Sequence, residues 1–192
     1  MNLLVETAPD YIVVGGEKLK LKTDFQLWVK FILACSKQDQ TEIIQVLSDI
    51  FEKLPETHLE EFVQKCTKWL YPPEDPNKGG ANSESDNRDR RSGNRSGTKA
   101  FDFEEDGNII YCELWQYFPR LMERGISFHE GIELIKILMS NENTNLWHRA
   151  FARCGDFSKM TKEQKRYWQK QRAIYSIKLA KNADVDVMCK DF

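Results

Sequence analysis

The pattern of apolar positions along this chain has a period of two at first, then of 3.6, and stops between Tyr71 and Lys99 before resuming at 3.6. Tyr11-Ile12-Val13-Val14, Gly15-Gly16 and Glu17-Lys18-Leu19-Lys20-Leu21 predict a β-hairpin, with the two glycines supplying the positive φ angles of a tight primed turn. A third short strand at 3–5 is possible in the pattern. Thr23-Asp24 opens a helix in which Phe25, Trp28, Val29 and Ile32 form one face, ending near Ser36. Thr41 opens a second, with Ile43, Ile44, Val46, Leu47, Ile50 and Phe51 apolar. Pro55 separates it from a third, for which Thr57-x-x-Glu60 reads as a capping box and Leu59, Phe62, Val63, Cys66, Trp69 and Leu70 as the apolar face.

Residues 71–99 carry three prolines and four glycines, and nothing apolar after Tyr71 larger than proline and Ala81. Such a segment cannot offset roughly 1–2 kcal/mol of backbone entropy per residue, so it is expected to be a disordered polar linker. Beyond it, Asp102-x-x-Glu105 caps a helix with Ile110, Leu114 and Tyr117 on one stripe and Tyr111, Trp115 and Phe118 beside it. Pro119 and Gly125 bound a break in which Leu121 and Met122 form at most one turn. Ser127-x-x-Glu130 opens a helix with Phe128, Ile132, Ile135, Leu138 and Met139. Thr144 precedes one with Leu146, Trp147, Ala150 and Phe151, and Thr161-x-x-Gln164 opens the last, running to about Ala180. The expected fold is mainly α: a hairpin and three-helix lobe at 1–70, the linker, an all-helical lobe of about four helices at 100–181, and a polar tail at 182–192.

Each lobe is near the size at which one core is only marginally stable, so packing of the lobes on each other or on a partner would help both. No apolar run approaches the ~20 residues that span a bilayer. The start, MNLLVETAPD, lacks the basic region and apolar stretch of a signal peptide, which predicts a cytoplasmic protein. Five cysteines without C-x-x-C spacing, three of them in apolar helical patterns, read as buried thiols with no zinc site.

Candidate chemistry is sparse. His58, His129 and His148 open predicted helices with no nucleophile or carboxylate at a catalytic spacing, and Glu104, Glu105 and Asp106 fit a helix first turn, where acidic groups oppose the macrodipole. Gly15-Gly16 is a turn and not a phosphate loop. No catalytic, metal-binding or cofactor set emerges, so the chain reads as a non-enzyme.

Charge singles out one segment. Residues 1–70 carry 8 basic and 11 acidic groups, residues 100–158 carry 5 and 10, and residues 159–181 carry 8 basic groups against Glu163 alone. In that last helix Lys162, Lys165, Arg166, Trp168, Lys170 and Arg172 are the candidate partner-binding residues, for an acidic protein first and a nucleic acid second. The plainer alternative packs Tyr167, Ile174, Tyr175 and Ile177 on the lobe and leaves the lysines in water. Arg88, Arg90, Arg91 and Arg95 in the linker are interrupted by Asp86 and Asp89, which argues against a dedicated nucleic-acid arm.

The order of motifs resembles one phage family. Thr23-Asp24-Phe25-x-x-Trp28-x-x-Phe31 after the hairpin looks like the start of the gene-product-fifteen family of long-tailed phages and prophages of Gram-positive hosts. Phe101-Asp102-Phe103-Glu104-x-Asp106, Ile110-Tyr111, Tyr117, Leu134-Ile135-x-x-Leu138, the stretch ending at Arg153 and the lysine-rich helix through Tyr175 resemble its second block. The family often has adjacent tryptophans where this chain has Phe128-His129-Glu130-Gly131. The resemblance implies a tail assembly chaperone without enzymatic activity or cofactor. Its partners would be the tape-measure protein and the tail-tube protein, it would act in the host cytoplasm, and it would be absent from the mature virion. Self-association, a structural role in the virion, and a small nucleic-acid-binding regulator using residues 159–181 remain alternatives.

Overall fold

A computed structural model describes residues 9–71 and 99–177. The expected strand at 3–5, the linker between residues 72 and 98, the last turn toward Ala180 and the polar tail lie outside the described residues. The architecture is mainly helical, with an amino-terminal two-stranded antiparallel hairpin followed by helices. β1 (Tyr11–Val14) pairs with β2 (Glu17–Lys20) so that Ile12 faces Leu19, and both are buried together with Val14. Gly15 and Gly16 take φ of 55° and 84°, a region other residues rarely enter, which lets the hairpin close in two residues.

α1 (Phe25–Lys37) starts where the Asp24 carboxylate accepts a hydrogen bond from the Leu27 amide at 3.0 Å. α2 (Gln40–Ile50) begins one residue earlier than expected, because Asp39 and not Thr41 is its cap. Phe51 leaves the helix to form a bridge with Leu21, extending the hairpin toward the helices. α3 (Leu59–Leu70) corrects the expected Thr57/Glu60 box. His58 occupies the cap position in a left-handed conformation, φ 60°, with no side-chain cap. Its ring lies over Gly15, where an added Cβ would sit 2.8 Å from Cδ2, and Glu61 accepts from the Gly15 amide at 3.0 Å. Docking on the hairpin turn therefore sets the start of α3.

The second block comprises α4 (Phe103–Tyr117), α5 (Pro119–Arg124), α6 (Phe128–Ser140), α7 (Asn145–Cys154) and α8 (Lys162–Tyr175). The turn anticipated at Leu121 and Met122 is thus a short helix, and α8 stops at Tyr175. The Ser127/Glu130 and Thr161/Gln164 boxes both form with reciprocal hydrogen bonds. At α4 the cap is Asp102 as expected, but the side chain that reaches back to its amide belongs to Asp106, at 2.9 Å, and not to Glu105. Ile110 and Leu114 are buried, whereas Tyr111, Trp115 and Tyr117 are exposed.

The two blocks pack against each other around a shared set of buried side chains. The Phe128 amide donates to the Thr23 carbonyl at 2.7 Å and the Phe25 amide to the Ile126 carbonyl at 3.0 Å, which clips the starts of α1 and α6 together. Trp28, with no exposure, stacks on Trp69 with ring centroids 4.2 Å apart, and its Nε1 donates to the Lys22 carbonyl. Phe128 lies against Trp28, Trp69 and Phe25 at 6.1–6.4 Å. The Phe25 ring presses on the bare backbone of Gly131, where an added Cβ would fall 2.2 Å from it. Phe128 and Gly131, which stand where the family resemblance would put an aromatic pair, are therefore interior.

Among the described residues Cys66 is the one buried cysteine; burial pushes its thiol up to about 12, with a further push from Cys35, and burial alone raises Cys35 to about 11. Cys112 and Cys154 are exposed, which corrects the expectation of buried thiols for them, and Cys189 lies outside the described residues. Among the described residues no helix is long and apolar enough to cross a membrane.

Two outcomes follow from this joint. Phe128→Ala removes the ring shared by both blocks and is expected to cost about 3–5 kcal/mol, measured by urea denaturation. His129 donates from Nε2 to the Trp69 carbonyl at 2.8 Å, and its Nδ1 is buried without a partner. Burial holds its pKa below the ordinary 6.5, against the opposing pull of the Trp69 carbonyl and Glu133. The unfolded chain therefore takes up a proton near pH 6.5 that the folded chain refuses. This contribution to stability is complete above that pH and is lost as pH falls below it. Urea midpoints measured between about pH 7 and pH 5 should fall for the wild type and be flatter for His129→Asn.

Candidate functional site

The second block is organised around a carboxylate without access to water. Asp106 has no exposure and Arg153 only 4%. Arg153 grips it with two nitrogens: Nη1 donates to Oδ2, and Nη2 to Oδ1 at 3.0 Å. Arg149 adds a donor to Oδ1 at 2.8 Å, and the Asp102 amide one to Oδ2. Burial alone would raise the carboxyl pKa; the hydrogen bonds from Arg153, the Asp102 amide and Arg149 outweigh it and hold the group below its ordinary value. Asp106 stands in the first turn of α4, as expected, and is in addition the centre of a buried ion-pair cluster.

The remaining donors of Arg153 tie distant backbone together. Nε donates to the carbonyl of Tyr175, the last residue of α8, at 2.6 Å, and Nη1 to the carbonyl of Ala100 at 3.2 Å. A second buried carboxylate, Glu113, accepts from the amides of Asn145 and Leu146 at the start of α7. Two carboxylates on α4 thereby fix α7 along its length, one at its amino terminus and one through the arginines of its last two turns.

α8 closes over this frame with a different face from either expectation. Trp168 turns inward, its ring packing against Trp147, Phe151 and Phe157 at 4.8–6.2 Å. Arg172 also turns inward: it donates to the carbonyls of Ala152 and Gly155 at 2.6 and 2.8 Å, and its guanidinium lies 4.1 Å from the centre of the Phe157 ring. It thus satisfies carbonyls left open at the end of α7. Of the six candidate partner-binding residues, Trp168 and Arg172 pack inward, Trp168 also lining the cleft described below. Lys162, Arg166 and Lys170 are exposed, and Lys165 is half-buried. The plainer alternative fails at two positions as well, because Tyr167 and Ile174 are 52% and 68% exposed.

Between α4, α7 and α8 lies a cleft of about 270 Å³. Ile109 of α4 and Asn145, His148 and Arg149 of α7 form one side. Tyr167, Trp168, Gln171 and Tyr175 of α8 form the other. Arg149 reaches the cleft from its bond to Asp106, and its guanidinium lies 5.1 Å from the centre of the Tyr175 ring. The lining offers aromatic faces, two amides, one imidazole and one guanidinium. No group of three or more His, Cys, Asp or Glu side chains among the described residues is placed to hold a metal ion.

Sequence reasoning missed Asp106, Glu113, Arg149 and Arg153 as a set. The available signal was the i, i+4 spacing of the two arginines on α7, which puts both on one helix face. Their shared acidic partner, Asp106, lies more than forty residues earlier in the chain, and Glu113 lies more than thirty before the amides it accepts from, both beyond the reach of local pattern. Comparison with protein-family models, with curated proteins and with solved structures finds no match to this chain.

Removing one side of a buried ion pair strands the other charge, which costs about 3–5 kcal/mol. Asp106→Asn and Arg153→Met are each expected to lose roughly that much in urea denaturation. Arg153→Lys should not rescue, since a single ammonium cannot span Asp106, Ala100 and Tyr175 as the guanidinium does. The double variant Asp106→Leu/Arg153→Met should recover only part of the loss, because Arg149 keeps its charge and two carbonyls lose their donor.

Proposed function

We propose that this protein is a non-enzymatic tail assembly chaperone of a long-tailed phage. It binds the tape-measure protein and promotes assembly of tail-tube subunits around it. The observation that carries this reading is where the family-like motif residues fall. Phe25, Trp28, Asp106, Ile110, Leu134, Ile135, Leu138 and Arg153 are all buried. The resemblance thus rests in part on positions that define the frame, while Tyr111, Tyr117 and the lysines of the last helix belong to the surface.

Surface chemistry supports a protein-binding role. Tyr111, Trp115, Ile137, Tyr167 and Ile174 are large apolar side chains left exposed on helices, and such positions suit recognition of another amphipathic helix. In this reading the protein acts in the bacterial cytoplasm, coats a long helical client against aggregation, and leaves before the virion matures. Weak contacts suit that task, because the tube protein must later displace the chaperone.

Co-expression with the tape-measure protein of the same phage is the test. The expected outcome is a clear rise in the soluble fraction of the tape measure and recovery of the two proteins as a complex. An unchanged soluble fraction removes the chaperone reading. Mass spectrometry of purified particles separates it from a structural role, for which the protein would be present in finished tails.

A further inference from the structure

We infer that the cleft between α4, α7 and α8, with the adjoining outer stripe of α8, is a docking groove for an acidic amphipathic helix of a partner protein. The inference rests on the chaperone reading only for the identity of that partner. Three observations carry it. First, Tyr167, Lys170 and Ile174 follow one another at i, i+3 and i+7, so they share one face of α8, with Arg166 one turn before Lys170. Tyr167 and Ile174 are more than half exposed on this face, and Tyr167 also lines the cleft. The Tyr167 ring therefore joins the cleft to the outside of the helix, where Ile174 adds a second exposed apolar side chain.

Second, the charge on this stripe is unanswered. Arg166 and Lys170 are exposed, and neither takes part in an ion pair among the described residues. Glu163, in the first turn of α8, is the one carboxylate of that helix. Residues 1–70 and 100–158 carry an acidic excess, whereas α8 carries Lys162, Lys165, Arg166, Lys170 and Arg172 against Glu163. A partner with carboxylates flanking an apolar stripe complements it in both respects.

Third, the cleft is small. About 270 Å³ is at the lower edge of the roughly 300–1,000 Å³ typical of small-molecule and cofactor sites. One or two bulky side chains fit, stacked against Trp168 and Tyr175, with Arg149 placed to meet a neighbouring carboxylate. A nucleic acid fits less well: phosphate-led binding commonly uses about 6–10 contacts, and this stripe offers two cations interrupted by apolar groups.

The test uses the full chain and a fluorescein-labelled peptide of about 20 residues, leucine along one helical face and glutamate elsewhere. Fluorescence anisotropy at low salt is expected to give saturable binding. Tyr167→Ala and Lys170→Glu should weaken it by about tenfold or more, while Lys30→Glu, on the exposed side of α1, should stay within about threefold of the wild type. Circular-dichroism melts of the variants confirm that they fold. Absence of saturable binding, equal affinity of Lys170→Glu and the wild type, or tighter binding of duplex DNA of about 20 base pairs would each overturn the groove. The two readings separate in co-expression. A tape-measure protein kept equally soluble by the wild type and by Lys170→Glu overturns the groove and leaves the chaperone function standing. Peptide binding with the expected variant losses, but no gain in tape-measure solubility, supports the groove and removes the chaperone function.

Discussion

Asp106 has no contact with water, and a carboxylate in that position must be neutralised and hydrogen-bonded on every side. Two arginines and a backbone amide meet that demand, using both oxygens twice. The net stability such a cluster adds over an apolar core is small, since desolvating the charges cancels most of their attraction. Its larger effect is on geometry. A bidentate guanidinium fits its carboxylate in few orientations, and here the same guanidinium also holds the carbonyls of Ala100 and Tyr175. The start of the second block, the end of α7 and the end of α8 are therefore placed by one side chain. The cleft exists because these helices are held at that spacing, and Arg149 belongs to both the ion cluster and the cleft wall.

A second constraint joins the blocks on either side of the polar tract. Trp28, Trp69 and Phe128 meet where α1, α3 and α6 come together, and the backbone clip between Thr23 and Phe128 fixes the approach. A two-stranded hairpin is marginal alone, and here it gains its burial from the helices that follow it. Joined in this way, the two blocks hold their surfaces in a fixed arrangement. Preorganisation of that kind reduces the ordering cost of a weak interface.

On α8, two residues that look suited to a partner serve the fold. Trp168 fills the aromatic cluster beside α7, and Arg172 answers the carbonyls at the end of that helix. The exposed stripe is then built from Tyr167, Lys170 and Ile174, with Arg166 beside it. This exchange alters the chemistry of the face: two cations set among apolar groups suit an acidic helix better than a phosphate backbone.

The features determined by the sequence alone are those whose causes lie within a few residues. The Gly15-Gly16 turn, the Asp24, Asp102 and Thr144 caps, and the Ser127/Glu130 and Thr161/Gln164 boxes all follow from neighbours three or four positions apart. The 3.6-residue periodicity located the helices for the same reason. Only the tertiary structure decided the rest. The Thr57/Glu60 box gave way because His58 and Glu61 are taken up by Gly15, more than forty residues earlier. Asp106 reads as a surface acid until Arg153, 47 residues away, is brought to it. Amphipathic spacing cannot tell whether Tyr167 or Trp168, adjacent on one helix, turns inward. The position of α7 decides that, and α7 is held by Asp106 and Glu113.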